Sequence, residues 1–193
     1  MRAFMLPVLR MFAMLSMFVV SVPALASASG LGLSPADFRA RYNAAADAMN
    51  APIMPEDPAE SLAVPDKNNN GKVLSTVSIY YLNDRVSLLL NCPNKTPDLV
   101  TGAAIMGGMG DEFTFATAVD MQTAMTALLT MLTPKLTTKD RDNLLGGLGL
   151  LEGKNGDFTD GKVRRRTAAG LLFCTSASEN SGLELVVFPA PQH

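Results

Sequence analysis

Between Val73 and Cys92, apolar and polar residues alternate in two runs separated by Asn83-Asp84. Val73, Val77, Ile79 and Tyr81 alternate with Leu74, Thr76, Ser78 and Tyr80; beyond the break, Val86, Leu88, Leu90 and Cys92 repeat every second residue. Such alternation is the mark of a half-buried strand. A two-residue turn at Asn83-Asp84 predicts a hairpin that pairs Tyr81 with Val86, Ile79 with Leu88 and Val77 with Leu90. That register puts both apolar sets on one face, whereas a slip of one residue would separate them. A second hairpin is expected near the C-terminus, from LLFCTSAS through a turn at Glu179–Gly182 into LELVVFPA.

Elsewhere the period changes to that of a helix. Phe38, Tyr42, Ala45 and Met49 form one apolar stripe, with Arg39, Arg41, Asn43 and Asp47 opposite. Ser34 is placed to cap this helix, Pro35 and Asp37 suit its first turn, and Asn50 and Pro52 end it. Residues 51–72, with four prolines and Asn68-Asn69-Asn70-Gly71, read as a long connection. In the low-charge segment 99–134, an apolar glycine-rich stretch precedes Met121, Met125, Leu128 and Leu132 at helical spacing, and Pro134 stops the run. Thr137 and Asp140 then form a capping-box pattern for a short helix carrying Leu144, Leu145 and Leu148, which Gly146 and Gly147 weaken. Residues 152–162 read as a polar loop. The expected fold is α+β: an antiparallel sheet of two β-hairpins with helices packed on one face, in the order α-β-β-α-α-β-β.

The first 26 residues change the setting. Arg2 and Arg10 precede or flank an apolar run from Met11 to Val22, and Ala24-Leu25-Ala26 offers a small-x-small cleavage site. The run falls short of the about 20 residues that span a bilayer. The expectation is a cleaved secretory leader and one globular domain over 27–193, periplasmic or secreted and not membrane-spanning after cleavage. Removing residues 1–26 from the 193-residue chain leaves 167, enough for one core. The leader holds two of the 16 basic residues and none of the 18 acidic ones, so the mature balance is 14 against 18, or −4. An acidic balance argues against nonspecific nucleic-acid binding.

Export also bears on Cys92 and Cys174, the two cysteines of the chain. Neither belongs to a CxxC pair. In an oxidising compartment they are expected to form a disulfide, worth roughly 4–5 kcal/mol in the chain-entropy account.

Candidate chemistry is sparse. His193 is the one histidine and the last residue, so a Ser-His-Asp triad, a Cys-His pair and a histidine metal site all lack a partner. The carboxylates Asp111 with Glu112, Asp140 with Asp142, and Glu152 with Asp157 and Asp160 fit capping and turn roles better than paired acid–base work. Asp66 to Gly71 matches the first half of a calcium loop, but its twelfth position is Val77 where a bidentate Glu belongs. Met106 and Met109, with Met121 and Met125, have the softness for Cu(I), although methionine at helical spacing usually fills a core. Neither glycine cluster completes a phosphate loop. Lys162-Val163-Arg164-Arg165-Arg166 is the dense basic run; it reads first as a solvated strand edge and second as a contact for an acidic partner. Asn94-Lys95-Thr96 is a formal glycosylation sequon followed at once by Pro97.

The favoured reading is an exported, non-catalytic binding or protein-interaction module, such as an inhibitor or immunity-type protein, without a cofactor. Its expected contact surface takes in segment 99–134, with Met106, Met109, Met121 and Met125, together with Arg164, Arg165 and Arg166. The alternatives are a carrier of an apolar small ligand or Cu(I), and a carboxylate-dependent hydrolase.

Overall fold

A computed structural model of the chain describes residues 30–66, 72–107, 115–150, 163–178 and 182–191. The leader, most of the calcium-like loop, Met109, Asp111, Glu112, the polar loop at 152–162 and His193 lie outside them. Among the described residues the elements run α1 (Pro35–Asp47), β1 (Glu60–Pro65), β2 (Val73–Tyr81), β3 (Val86–Pro93), β4 (Gly102–Gly107), α2 (Phe115–Leu132), α3 (Thr138–Gly147), β5 (Arg164–Ala168), β6 (Leu171–Ser178) and β7 (Gly182–Pro189). The class is α+β, and every strand pairing is antiparallel. The order is not the expected one: the strands number seven, in one sheet ordered β1-β2-β3-β4-β7-β6-β5.

The helices follow their local signals. Ser34 Oγ accepts from the Asp37 amide at 3.1 Å, and Phe38, Tyr42 and Ala46 of α1 are buried. Asn43 then straps the following connection onto α1: its side-chain amide donates to the Met54 carbonyl at 2.9 Å and its Oδ1 accepts from the Met54 amide at 2.7 Å. Tyr42 adds a bond from its hydroxyl to the Pro52 carbonyl at 3.1 Å. In α2 the threonines return their hydroxyls to carbonyls one turn back, Thr126 to Gln122 at 2.7 Å and Thr123 to Val119 at 3.0 Å. A threonine-rich helix face thereby satisfies its own polar groups. Thr137 and Asp140 form the anticipated reciprocal capping box at the start of α3.

The central hairpin pairs one residue out of the expected register. Tyr81 sits opposite Ser87, Tyr80 opposite Leu88, Ile79 opposite Leu89 and Ser78 opposite Leu90. The cause is the turn. Asn83 Oδ1 accepts from the amides of both Arg85 and Val86, at 2.9 and 2.8 Å, and the Leu82 amide donates to the Val86 carbonyl at 2.9 Å. Three residues, Asn83 to Arg85, therefore form the loop, with an asparagine side chain doing what a second backbone turn would do. Arg85 and Asn83 also reach Asp120 on α2, at 2.9 and 3.0 Å, which holds the longer loop in place.

That shift puts the two apolar sets on opposite faces. One cluster joins Tyr80, Leu88, Leu90, Cys92, Ala103, Ile105, Phe173, Leu185 and Val187 with the buried side chains of the helices, among them Phe38, Tyr42, Met121, Met125, Leu128 and Leu145. The other holds Val64, Val77, Ile79, Leu89, Ala104 and Val186, with Leu62, Met106 and Phe188 packed against it; all of these come from strands.

The glycine-rich stretch that opens the low-charge segment becomes β4, in the middle of the sheet. Its small residues are needed there. A β-carbon on Gly107 would lie 2.7 Å from the Arg85 carbonyl oxygen and 2.8 Å from the Met121 sulfur, and one on Gly102 would lie 3.0 Å from the Phe188 ring. Through β4 and β7 the first four strands and the last three become one sheet.

The expected disulfide is absent: Cys92 and Cys174 are not bonded. Cys92 belongs to the helix-associated cluster. Cys174 lies opposite Val186, a member of the other cluster, so its side chain leaves the sheet on the other face. Strands β4 and β7 also separate β3 from β6. Three strand spacings amount to about 14 Å, twice the reach of a disulfide.

Candidate interaction surface

The basic run folds as β5, the terminal strand on one side of the sheet. Its hairpin with β6 turns through Ala169 and Gly170, at φ 52° and 75°. Two successive positive φ values define the primed turn whose hand suits a two-residue hairpin, and the flanking pair then closes with backbone hydrogen bonds. Counting back from that pair, Ala168 with Leu171, the bonded positions are Arg166 with Phe173 and Arg164 with Thr175. The backbone groups of Arg165 and Thr167 therefore point away from the sheet. The Arg166 guanidinium gives independent support, since it donates to the Arg165 carbonyl at 2.7 Å across that open edge.

The three arginines differ in what they touch. Arg164 and Arg166 lean over the end of α3, where a β-carbon on Gly149 would come within 3.0 Å of the Arg164 Nε and one on Gly147 within 2.5 Å of the Arg166 Nε. Cations suit the negative end of a helix. Thr175 fixes the same end, its hydroxyl donating to the Leu148 carbonyl at 2.7 Å. Arg165 projects the other way, beside Cys174. Arg165, Arg166 and Thr167 are exposed, and among the described residues neither Arg165 nor Arg166 has a carboxylate partner.

Two strands in from this edge, on the face of the second cluster, lies a carboxylate that sequence reasoning passed over. Glu184 on β7 is 5% exposed. Its Oε2 accepts from the Ser176 hydroxyl at 3.1 Å. Burial raises its pKa and the Ser176 bond opposes the rise. Burial also pushes the Cys174 thiol up, against the pull of Arg165. A high thiol pKa keeps the sulfur protonated and a poor nucleophile. One signal for Glu184 was present in the sequence: a lone acid inside the apolar run LELVVF.

The other predicted site residues are dispersed. Met121 and Met125 are 0% and 1% exposed in the helix-associated core. Met106 packs on the opposite side of the sheet, so these three sulfurs form no common thioether set. The described part of segment 99–134 is largely buried, through Val100, Ala103, Ala104, Ile105, Met121, Ala124, Met125, Ala127, Leu128 and Leu129. Asp140 is committed to its capping box. Among the described residues no group of three or more His, Cys, Asp or Glu is arranged to hold a metal, and no helix is long and apolar enough to cross a membrane.

At the opposite side of the sheet, Tyr81 donates to Glu60 Oε1 at 2.7 Å. That bond, with burial, pushes the Tyr81 pKa up to about 12. Tyr81, Asn83 and Asp84 line an open depression there. Polar groups at such an opening do not make the closed apolar pocket a carrier needs.

No family model, curated protein or solved structure matches this chain.

Proposed function

We propose that the chain is an exported, non-catalytic interaction module, periplasmic or secreted, that binds a protein partner through the β5 edge. The observation that carries this reading is the open terminal strand bearing Arg165 and Arg166, both exposed and both without a carboxylate partner among the described residues. Exposed charge on a strand edge contributes little to stability and is a means of recognition. In this reading the three helices lie on one face of the sheet and leave the β5 edge accessible. Support for that layering comes from the clusters: helix side chains share a core with alternate strand residues and contribute none to the second cluster.

The test is site-specific photo-crosslinking in cells that export the protein. A photoreactive residue would be placed singly at Thr167, at Leu74 and at Ile53, all exposed positions. A discrete protein adduct at Thr167 that disappears in R165E/R166E is expected. No adduct at any of the three positions would overturn the interaction reading.

A further inference from the structure

Resting on the interaction reading, we infer that β5 takes an added strand: an extended peptide segment of the partner carrying two consecutive acidic residues. The backbone at this edge supplies the first half of the recognition. Arg165 and Thr167 present outward amide and carbonyl groups, and Thr167 is exposed. An edge in that state accepts a further antiparallel strand by main-chain hydrogen bonds. The Arg165 carbonyl is occupied at present by the Arg166 guanidinium. An incoming amide replaces that donor, which frees Arg166 for a carboxylate.

The side chains supply the second half. Successive residues on a strand point to opposite faces. Arg165 lies on the face of Cys174 and Glu184, while Arg166 lies on the face of α3. A partner strand meets both with adjacent acids, one above the sheet and one below. Acids separated by one residue would both fall on the same face and meet only one of the two arginines.

The same charges argue against a second copy of this chain as the occupant. Antiparallel pairing of two β5 strands places arginine opposite arginine, and directly opposed like charges destabilise a ladder. The other edge strand, β1, carries a single acid, Glu60, already bonded to Tyr81, and its register breaks at Val64/Pro65. The arginine run therefore rejects self-pairing and favours an acidic strand, the two-sided arrangement that specificity requires.

The experiment measures binding of labelled Val-Thr-Glu-Glu-Thr-Val to the purified protein by fluorescence anisotropy. The control, Glu-Val-Thr-Thr-Val-Glu, has the same composition and charge with the acids apart. The adjacent-acid peptide is expected to bind more tightly, and R165E/R166E should weaken it by about tenfold, two cross-strand ion pairs having become repulsions. T167P removes the outward amide at an edge site where proline is tolerated, and should abolish binding while leaving the unfolding midpoint near wild type. Hydrogen exchange at the Thr167 amide should slow when the peptide is bound. Equal binding of the two peptides, unchanged binding by T167P, or no binding of either peptide overturns strand addition. Crosslinked adducts at Leu74 or Ile53 alone would sink this inference and leave the interaction reading standing.

Discussion

The two faces of the sheet come from the same strands and end in different states. On one, Leu88, Leu90, Ile105, Phe173 and Leu185 interlock with side chains from three helices. On the other, Val77, Ile79, Leu89, Ala104 and Val186 pack with strand neighbours, and the same face carries Cys174 and Glu184. Sheets with both faces apolar are usual where layers cover both sides, and antiparallel sheets more often keep one face polar. The middle of one central strand is apolar on both faces: β3 sends Leu88 and Leu90 one way and Leu89 the other. The buried carboxylate, Glu184, sits on the face opposite the helix-associated cluster, whose titratable members are the weak acids Tyr42, Tyr80 and Cys92.

If the helix-associated face holds the larger core, its anchors should be the costliest to truncate. Phe173 is fully buried in the middle of β6, and F173A should lose about 3–5 kcal/mol in urea unfolding. Ile79 is 1% exposed on the other face, and I79A should lose about 2–3 kcal/mol, within the range for such truncations. A loss below about 0.5 kcal/mol at Ile79, the level of surface substitutions, would mean that the second face is not packed in solution. Equal losses at the two sites would remove the distinction between the faces.

The buried acid tests the same contrast through pH. Burial holds the Glu184 pKa above its usual 4.5. Between the unfolded and folded pKa values the native state binds more protons than the unfolded state. Stability therefore falls as pH rises from about 4.5 through the folded pKa, the reverse of a salt-bridged carboxylate. E184Q keeps the Ser176 partner and removes the charge. It should raise the unfolding midpoint at pH 8 and leave it nearly unchanged at pH 4. A variant with the wild-type pH profile would show that Glu184 is not desolvated.

What the sequence made legible was local. Ser34, Thr137 and Asp140 announced their helix starts because a cap needs only its nearest neighbours. The alternation at 73–92 announced two paired strands for the same reason. Register was lost because it turned on a side chain: Asn83 closes a three-residue loop, and Asp120, thirty-seven positions away, braces it. Strand β4 was missed because glycine and alanine are poor strand formers in isolation; their value is the closeness they allow to Phe188, Arg85 and Met121. Of the proposed surface, the arginine run was recognised as a strand edge, but the outward backbone of Arg165 and Thr167 follows only from the Ala169-Gly170 turn. Glu184 went unseen although it is a lone acid inside LELVVF, because an acid in an alternating strand is expected on a solvated face.

The smallest effect concerns the cysteines, and it separates the faces most directly. Sitting on opposite sides of the sheet and three strands apart, Cys92 and Cys174 cannot bridge without unfolding. Protein purified without reductant from an exporting host and then denatured should titrate two thiols per chain. In the native protein, alkylation should reach Cys174 before Cys92, because Cys174 is half-buried and Cys92 is buried in the core. Both should react slowly, since burial holds both thiols above their ordinary pKa. C92S/C174S loses no covalent staple, so adding reductant should not change the wild-type unfolding midpoint. A midpoint that falls with reductant, or zero free thiols in the monomer, would require Cys92 and Cys174 to share a face. That would break the β3-β4-β7-β6 pairing that sets the two cysteines apart and undo the division of the sheet into two unlike faces.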